Sequence, residues 1–279
     1  MFHFSKTFFI SLVVAALVAG CDIVDEPYLV EIGSVGPEPG EKVRKVLLED
    51  FTGQKCPNCP EAAEIAHNLQ DINPDQIVIL TIHAGFWAVP SSSGNFTADY
   101  RTSVGDDLNS SFNIEFNPTG MINRTEYDGT RTLTPDKWEG AVNVQLDLPA
   151  QAWIVITNEY SSSNRKLICS VESTFLEHLD GTYKICAFLT ESGIISPQQT
   201  EQGVDTTYEH NHVLRASLNG TWGDLVGGDG MAVANNKLTD EFEITLDNAW
   251  NAENCGIVAF IYNTESLEVI QAEEAAVVE

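Results

Sequence analysis

The stretch VLLEDFTGQKCPNCP, which runs from Val46 to Pro60, decides the fold of the first half of this chain. An apolar run of strand type leads directly into Cys56-Pro-Asn-Cys59, and Pro60 follows where a proline suits the first turn of a helix. The two thiols are therefore expected at a helix N-terminus, where unpaired backbone N–H groups and the helix dipole favour a thiolate. The pattern predicts a thiol or disulfide site at Cys56 and Cys59.

A helix and a second strand follow the motif. Apolar side chains recur at helical spacing, and these are Ala62, Ile65, Ala66 and Leu69. Asn73-Pro74 ends the helix, and the β-branched run Gln76–His83 predicts a strand. Strand, helix and strand in this order imply a parallel pair with a right-handed crossover. A C-x-x-C beside such a unit is typical of a thioredoxin-like redox motif.

Two further pieces of sequence resemble thioredoxin. Asp50 and Phe51 end the first strand six residues before Cys56, as an Asp-Phe pair does in thioredoxin. The segment Ile114–Thr119 resembles the thioredoxin loop that carries a cis proline. The resemblance implies that the peptide bond before Pro118 is cis and that Pro118 faces the two thiols, where it would hold the substrate backbone.

In an active site, thiol chemistry gives the two cysteines their roles. Cys56, expected to be the more exposed thiol, attacks a substrate disulfide, and Cys59 resolves the mixed disulfide. The resemblance implies that Asp50, if it is buried beneath the motif, accepts the proton of Cys59. Independently of the resemblance, the positive charge of Lys55 next to Cys56 is expected to lower the pKa of that thiol further. Lysine before the first cysteine and proline directly after it depart from thioredoxin and put the substrate and reduction potential in doubt. The alternative is an inert Cys56–Cys59 disulfide that staples the fold.

The second half of the chain has a different pattern. Short strands and turns alternate, and about seven strands in such a length are typical of an immunoglobulin-like β-sandwich. Asp180-Gly181 predicts a hairpin turn between two of these strands. We therefore predict an α/β plus all-β chain: a thioredoxin-like domain at residues 45–149, followed by an immunoglobulin-like β-sandwich domain at residues 150–279.

Three cysteines and two histidines of the second half are further candidates. A disulfide between Cys186 and Cys255 requires that their strands be neighbours, and buried free thiols are the alternative. The predicted hairpin places Cys169 too far from Cys186 for a bridge. His210 and His212 would share one face of a strand, as a metal-binding pair or as packed side chains. Our prediction is that the chain has no metal site and no cofactor.

The N-terminal residues indicate an anchored protein. Residues 1–20 have the short apolar run of a signal peptide, and Val18-Ala19-Gly20-Cys21 resembles a bacterial lipobox. Lipidation of Cys21 would attach the chain to a membrane without spanning it. Residues 21–44 contain several glycines, prolines and acidic residues and are predicted to form a tether.

Longer motifs resemble one family. The run Leu48–Pro60, together with His210-Asn-His-Val-Leu-Arg215 and Gly220-Thr-Trp-Gly223, is similar to the twenty-eight-kilodalton outer membrane protein family of Bacteroidota. The resemblance implies an outer-membrane lipoprotein and leaves open which face of the membrane it occupies.

Charge and motif together restrict the partners. The chain has 14 Lys and Arg residues against 41 Asp and Glu residues, so it repels polyanions and nucleic acid is excluded as a partner. We expect contact with the membrane through Cys21 and with envelope proteins that carry thiols or disulfides. The alternative function is a non-catalytic binding or scaffolding lipoprotein.

Overall fold

A mixed α/β fold with strands in four sheets is formed by residues 41–278, the part of the chain that the computed structural model describes. The predicted signal peptide, lipobox and all but the end of the tether lie outside the described residues. The helices are α1 (Cys59–Ile72), α2 (Ser103–Ser111) and α3 (Trp138–Leu146), with short 3-10 helices at Phe86–Ala88, Pro135–Lys137, Val226–Gly228 and Ala252–Asn254. The strands are β1 (Val46–Thr52), β2 (Ile77–His83), β3 (Thr119–Ile122), β4 (Ala152–Ser161), β5 (Lys166–Phe175), β6 (Tyr183–Glu191), β7 (Ile194–Ile195), β8 (Gln198–Thr200), β9 (Gly203–Asp205), β10 (Glu209–His210), β11 (Val213–Ser217), β12 (Asp224–Leu225), β13 (Lys237–Thr245), β14 (Cys255–Asn263) and β15 (Val269–Ala276). No helix in this described part is long and apolar enough to cross a bilayer.

The unit β1–α1–β2 forms as the sequence predicts. Strands β1 and β2 are parallel, with Asp50 opposite Thr81 and Thr52 opposite His83. Because side chains alternate along a strand, Leu48 and Asp50 lie on the face of β1 that α1 covers. Leu48 packs there in a core with apolar residues of α1 and α3. The sequence therefore delivers Asp50 to the buried space between β1 and α1.

The opposite face of β1 holds a buried ion pair. Nε and Nη2 of Arg124 donate to the two carboxylate oxygens of Glu49 at 2.8 and 2.7 Å, and both side chains are fully buried. The guanidinium also lies 5.1 Å from the ring centroid of Phe112 and 4.9 Å from that of Phe260. Bidentate bonds and aromatic contacts compensate for the loss of water around both charges. The pair fixes β1, the strand that carries Asp50.

One large sheet contains strands from both predicted domains. Its order is β15-β14-β6-β11-β2-β1-β3, with β12 paired to β6. The junction is the parallel contact of β2 with β11, where Val213 lies opposite Thr81 and the Thr81 N–H donates to the His212 carbonyl at 2.9 Å. Strands from the two sides of the predicted domain boundary at 149–150 are therefore neighbours in one sheet.

A second sheet, β13-β5-β4, packs against the C-terminal part of the large one. Ile154 and Val171 of the small sheet share a core with Ile185 and Ile257 of the large sheet. The prediction of a hairpin at Asp180-Gly181 is wrong, because the strands before and after this turn do not pair with each other. β5 pairs with β4 and β13, whereas β6 pairs with β11, β12 and β14. The chain crosses from one sheet to the other at this turn.

Candidate functional site

The two cysteines of the opening motif form a disulfide. Cys56 and Cys59 are bonded, their Cα atoms are 5.5 Å apart, and α1 begins at Cys59. Only 1% of Cys56 and 2% of Cys59 is exposed to solvent. The expectation of an exposed Cys56 is therefore wrong for this structure, and the reason is a cover from two distant segments.

The first segment of the cover is the hairpin formed by β8 and β9. The Gln198 side chain is buried, and its Nε2 donates to the Cys56 carbonyl at 2.9 Å and to the Gly53 carbonyl at 3.3 Å. The Gln199 N–H donates to the Gln54 carbonyl at 2.8 Å. Three carbonyls of the loop that leads into and includes Cys56 are thus satisfied by two consecutive glutamines.

The second segment is the loop after β2. The Lys55 N–H donates to the Trp87 carbonyl at 3.1 Å. Gly53 lies so close to the backbone of Trp87 that a Cβ would not fit, which explains the glycine. The Lys55 ammonium lies 5.9 Å from the ring centroid of Phe86, a largely exposed side chain. The effect of Lys55 on the Cys56 thiol stays a prediction.

Asp50 lines the same cavity as Cys59, and only 1% of the residue is exposed. Its Oδ1 atom is buried and forms no hydrogen bond with any residue from 41 to 278. Burial disfavours the carboxylate and raises the pKa of Asp50 to about 7. The side chain can therefore hold or release a proton near neutral pH.

Asp50 and Cys59 line a small, partly open cavity of about 30 Å³, together with His83, Tyr208 and His210. His83 is 3% exposed and His210 is 4% exposed. Burial lowers the pKa of His83 to about 3 and that of His210 to about 4, so both imidazoles are neutral. The sequence predicts His83 at the end of a strand in the first domain and His210 in the second domain. The pairing of β2 with β11 brings the two histidines close together, and no local sequence pattern predicts this contact.

His210 and His212 do not share one face of a strand, which corrects the sequence prediction. β10 ends at His210, β11 begins at Val213, and His212 between them has a left-handed φ of 54°. The His212 ring lies 5.4 Å from that of His67 on α1. Within the described range, no group of three or more His, Cys, Asp or Glu side chains is arranged to hold a metal ion.

Pro118 lies at the same edge of the sheet as the disulfide loop. The Asn117–Pro118 peptide bond is cis. Thr119, the next residue, is opposite Phe51 at the end of β1. The chain therefore places Pro118 where β1 leads into the cysteine motif.

The three cysteines of the second half are buried free thiols in the described structure. Of the two alternatives that the sequence leaves open, the Cys186–Cys255 disulfide is not formed and the buried free thiols are present. Their strands are neighbours, but the register places Cys186 opposite Phe260 and Cys255 opposite Glu191. Burial raises the pKa of Cys169, Cys186 and Cys255 to about 12, so these thiols are poor nucleophiles.

Comparisons with known proteins identify one family and several solved structures that are similar to this chain. The profile of the family described as "Outer membrane protein Omp28" matches residues 105–279. HBP35 of Porphyromonas gingivalis is similar over 85% of this chain and 76% of that one, with a TM-score of 0.62 and 16% identity. AGR_C_4864 from Agrobacterium tumefaciens is similar over 86% and 97%, with a TM-score of 0.52 and 12% identity. A domain of the outer membrane lipoprotein Omp28 from Porphyromonas gingivalis aligns over 47% and 92%, with a TM-score of 0.33 and 22% identity. No curated protein matches significantly.

Proposed function

Because this chain belongs to the Omp28 family of outer membrane proteins, we propose that it exchanges disulfides with thiols of other envelope proteins through Cys56 and Cys59. Family membership confirms the resemblance found in the sequence and places the protein at the outer membrane. Lipidation of Cys21 would anchor it there, and that residue lies outside the described part of the chain. The face of the membrane on which exchange takes place is left open.

The observation that carries this proposal is the Asp50 carboxyl in the cavity that Cys59 lines. Burying a polar group without a hydrogen-bond partner costs about 1–3 kcal/mol. A disulfide that only staples a fold needs no acid beneath it. A buried acid with a pKa near 7 beside a cysteine sulfur is, in contrast, what proton transfer at that sulfur requires.

The exchange transfers two electrons from a partner dithiol to the Cys56–Cys59 disulfide. A thiolate of a partner dithiol attacks the Cys56 sulfur, the Cys56–Cys59 bond breaks, and Cys59 leaves as a thiolate. Asp50 gives its proton to the Cys59 sulfur. The second partner thiolate then attacks the mixed disulfide and releases Cys56 as a thiolate. The partner is oxidised to a disulfide by two electrons, the Cys56–Cys59 pair is reduced, and the reverse sequence reduces a partner disulfide.

The arrangement around the disulfide supports a thioredoxin-like description of residues 45–149. Parallel β1 and β2 flank α1, which begins at the second cysteine, and Pro118 precedes a strand that pairs with β1. An immunoglobulin-like description of residues 150–279 is supported by the small sheet that faces β6 and β14 across a shared core.

Exchange also requires the cover to move, because a partner thiolate must reach the Cys56 sulfur. The hairpin β8–β9 belongs to a separate two-stranded sheet. An open cleft of about 690 Å³ lies between this hairpin and the start of α1, with Pro57, Glu61 and Glu201 in its lining. Moving the hairpin away from the start of α1 would widen this cleft and uncover the disulfide, and the large sheet would stay intact because the hairpin is not one of its strands.

The second candidate function is a binding or scaffolding lipoprotein whose Cys56–Cys59 bond is purely structural. The burial of both sulfurs favours it, since a buried disulfide resists attack. In that case the carboxyl of Asp50 would be neutral and without a chemical task.

A redox measurement separates the two candidates. We suggest measuring the Cys56–Cys59 reduction potential of the mature chain with Cys21→Ser in glutathione buffers. In a second experiment, the Cys59→Ser variant is used to trap mixed disulfides with outer-membrane proteins. Exchange predicts a potential above about −300 mV and trapped partners. The matched control is the Cys56→Ser/Cys59→Ser double variant, which should trap none. A potential well below about −300 mV together with no trapped partner would establish the structural role.

A further inference from the structure

Three buried titratable side chains enter the cavity below the disulfide from three different strands. Asp50 comes from β1, His83 from β2 and His210 from β10. Each carries a buried polar atom with no hydrogen-bond partner among residues 41–278: Oδ1 of Asp50, both ring nitrogens of His83, and Nε2 of His210. Such atoms are rare in folded proteins, and their clustering around one cavity calls for a common partner.

The geometry of the cavity fits a water molecule as that common partner. The ring centroids of His83 and His210 are 5.6 Å apart, and those of Tyr208 and His210 are 4.8 Å apart. The cavity of about 30 Å³ exceeds the roughly 10–15 Å³ that one water molecule needs. Water persists in buried sites where it finds two to four polar partners. The carboxyl and the two imidazoles supply that number.

We propose that buried water in this cavity joins Asp50 to His83 and His210, and that the two histidines are positioning residues which set the proton affinity of Asp50. The inference deepens the proposed exchange and rests on it, because Asp50 acts on the Cys59 sulfur. A neutral imidazole, acting through water, donates hydrogen bonds to the Asp50 carboxylate and stabilises its charged form. Without these donors, the buried carboxylate would be less stabilised and would bind its proton more tightly.

Other titratable side chains also line the cavity. His67 on α1 and Tyr208, Glu209 and His212 on the segment before β11 complete its titratable lining. Burial lowers the pKa of His83 most, His210 and Arg215 lower it further, and Asp99 raises it. Tyr208 lines both the cavity and the open cleft, so it lies between the buried water and solvent.

The test measures the pKa of Asp50 by carboxyl ¹³C NMR in the full mature chain with the disulfide intact. We expect His83→Phe and His210→Phe to strengthen proton binding by Asp50 at least tenfold. His83→Gln keeps an N–H donor in the cavity and should stay within about threefold of the wild type. His178→Phe, at an exposed histidine, is the matched control and should leave the Asp50 pKa unchanged.

A second readout follows the rate at which dithiothreitol reduces the disulfide, corrected for the thiolate fraction of the reagent. The pH at which this rate falls should move up by at least about one unit in the Phe variants, which corresponds to the tenfold stronger proton binding. An equal loss at every pH would indicate a structural role and overturn the proposal, as would an unchanged Asp50 pKa. Should His83→Phe not fold, His210→Phe decides alone. The NMR measurement needs no exchange, so failure to trap partners and failure of the water network are distinguishable.

Discussion

Asp50 makes the stability of this protein depend on pH in an unusual direction. Its pKa is about 7 in the folded chain against about 4 in an unfolded one, so the folded state binds more protons between these values. Stability from this group is therefore lost as pH rises from 4 to 7. We predict that Asp50→Asn is more stable than the wild type at pH 8, by up to about 4 kcal/mol, and nearly equal to it at pH 4. Urea unfolding at both pH values measures this.

The matched control for that prediction is Glu64→Gln, an exposed carboxyl on α1 that should change stability little at either pH. A difference between Asp50→Asn and the wild type that is the same at pH 4 and pH 8 would contradict a buried titration. The sequence predicted Asp50, Cys56 and Cys59 because they lie within one local pattern. It could not predict the exposure of Cys56, because the covering Gln198 is 142 residues away in the chain.

At the scale of elements, the hairpin β8–β9 controls access to the disulfide. A two-stranded hairpin is marginally stable alone, and Gln198 ties this one to the Gly53 and Cys56 carbonyls. Removing the amide with Gln198→Ala loses bonds worth about 1–1.5 kcal/mol, so we predict about tenfold faster reduction by dithiothreitol. Gln202→Ala, at an exposed position of the same hairpin, is the control. Equal rates in the two variants would mean that the hairpin does not limit access.

Strand β6 shows why some pairings escape a reading of local sequence. The Asp180-Gly181 turn signal is real, since Gly181 has a positive φ of 101°, but the strands on either side join different sheets. β6 is buried at every position except Lys184, as expected of a strand with neighbours on both edges and layers on both faces. The burial of the whole strand, and not the turn before it, determines which strands β6 pairs with. The unit of β1, α1 and β2 could be predicted because its sequence patterns lie within about forty residues of one another.

Across the whole molecule, a single core joins the two halves of the chain. Phe51 and Leu80 of the first half pack in one cluster with Phe188, Leu214 and Phe260 of the second. The predicted boundary at 149–150 therefore runs between strands that share both hydrogen bonds and apolar contacts. The site depends on this union, because the Gln198 cover and the His210 side chain come from the second half.

The shared core predicts that neither half folds alone. A fragment of residues 41–149 would expose the edge of β2 and the apolar face of β1 and β2 that the second half covers. We expect the full mature chain to unfold in urea in one transition, with tryptophan fluorescence and far-UV circular dichroism coincident. The fragments 41–149 and 150–279 should show no cooperative transition when studied separately. Cooperative unfolding of either fragment alone would instead establish the two independent domains that the sequence indicates, and the disulfide site would then be assembled by domain docking.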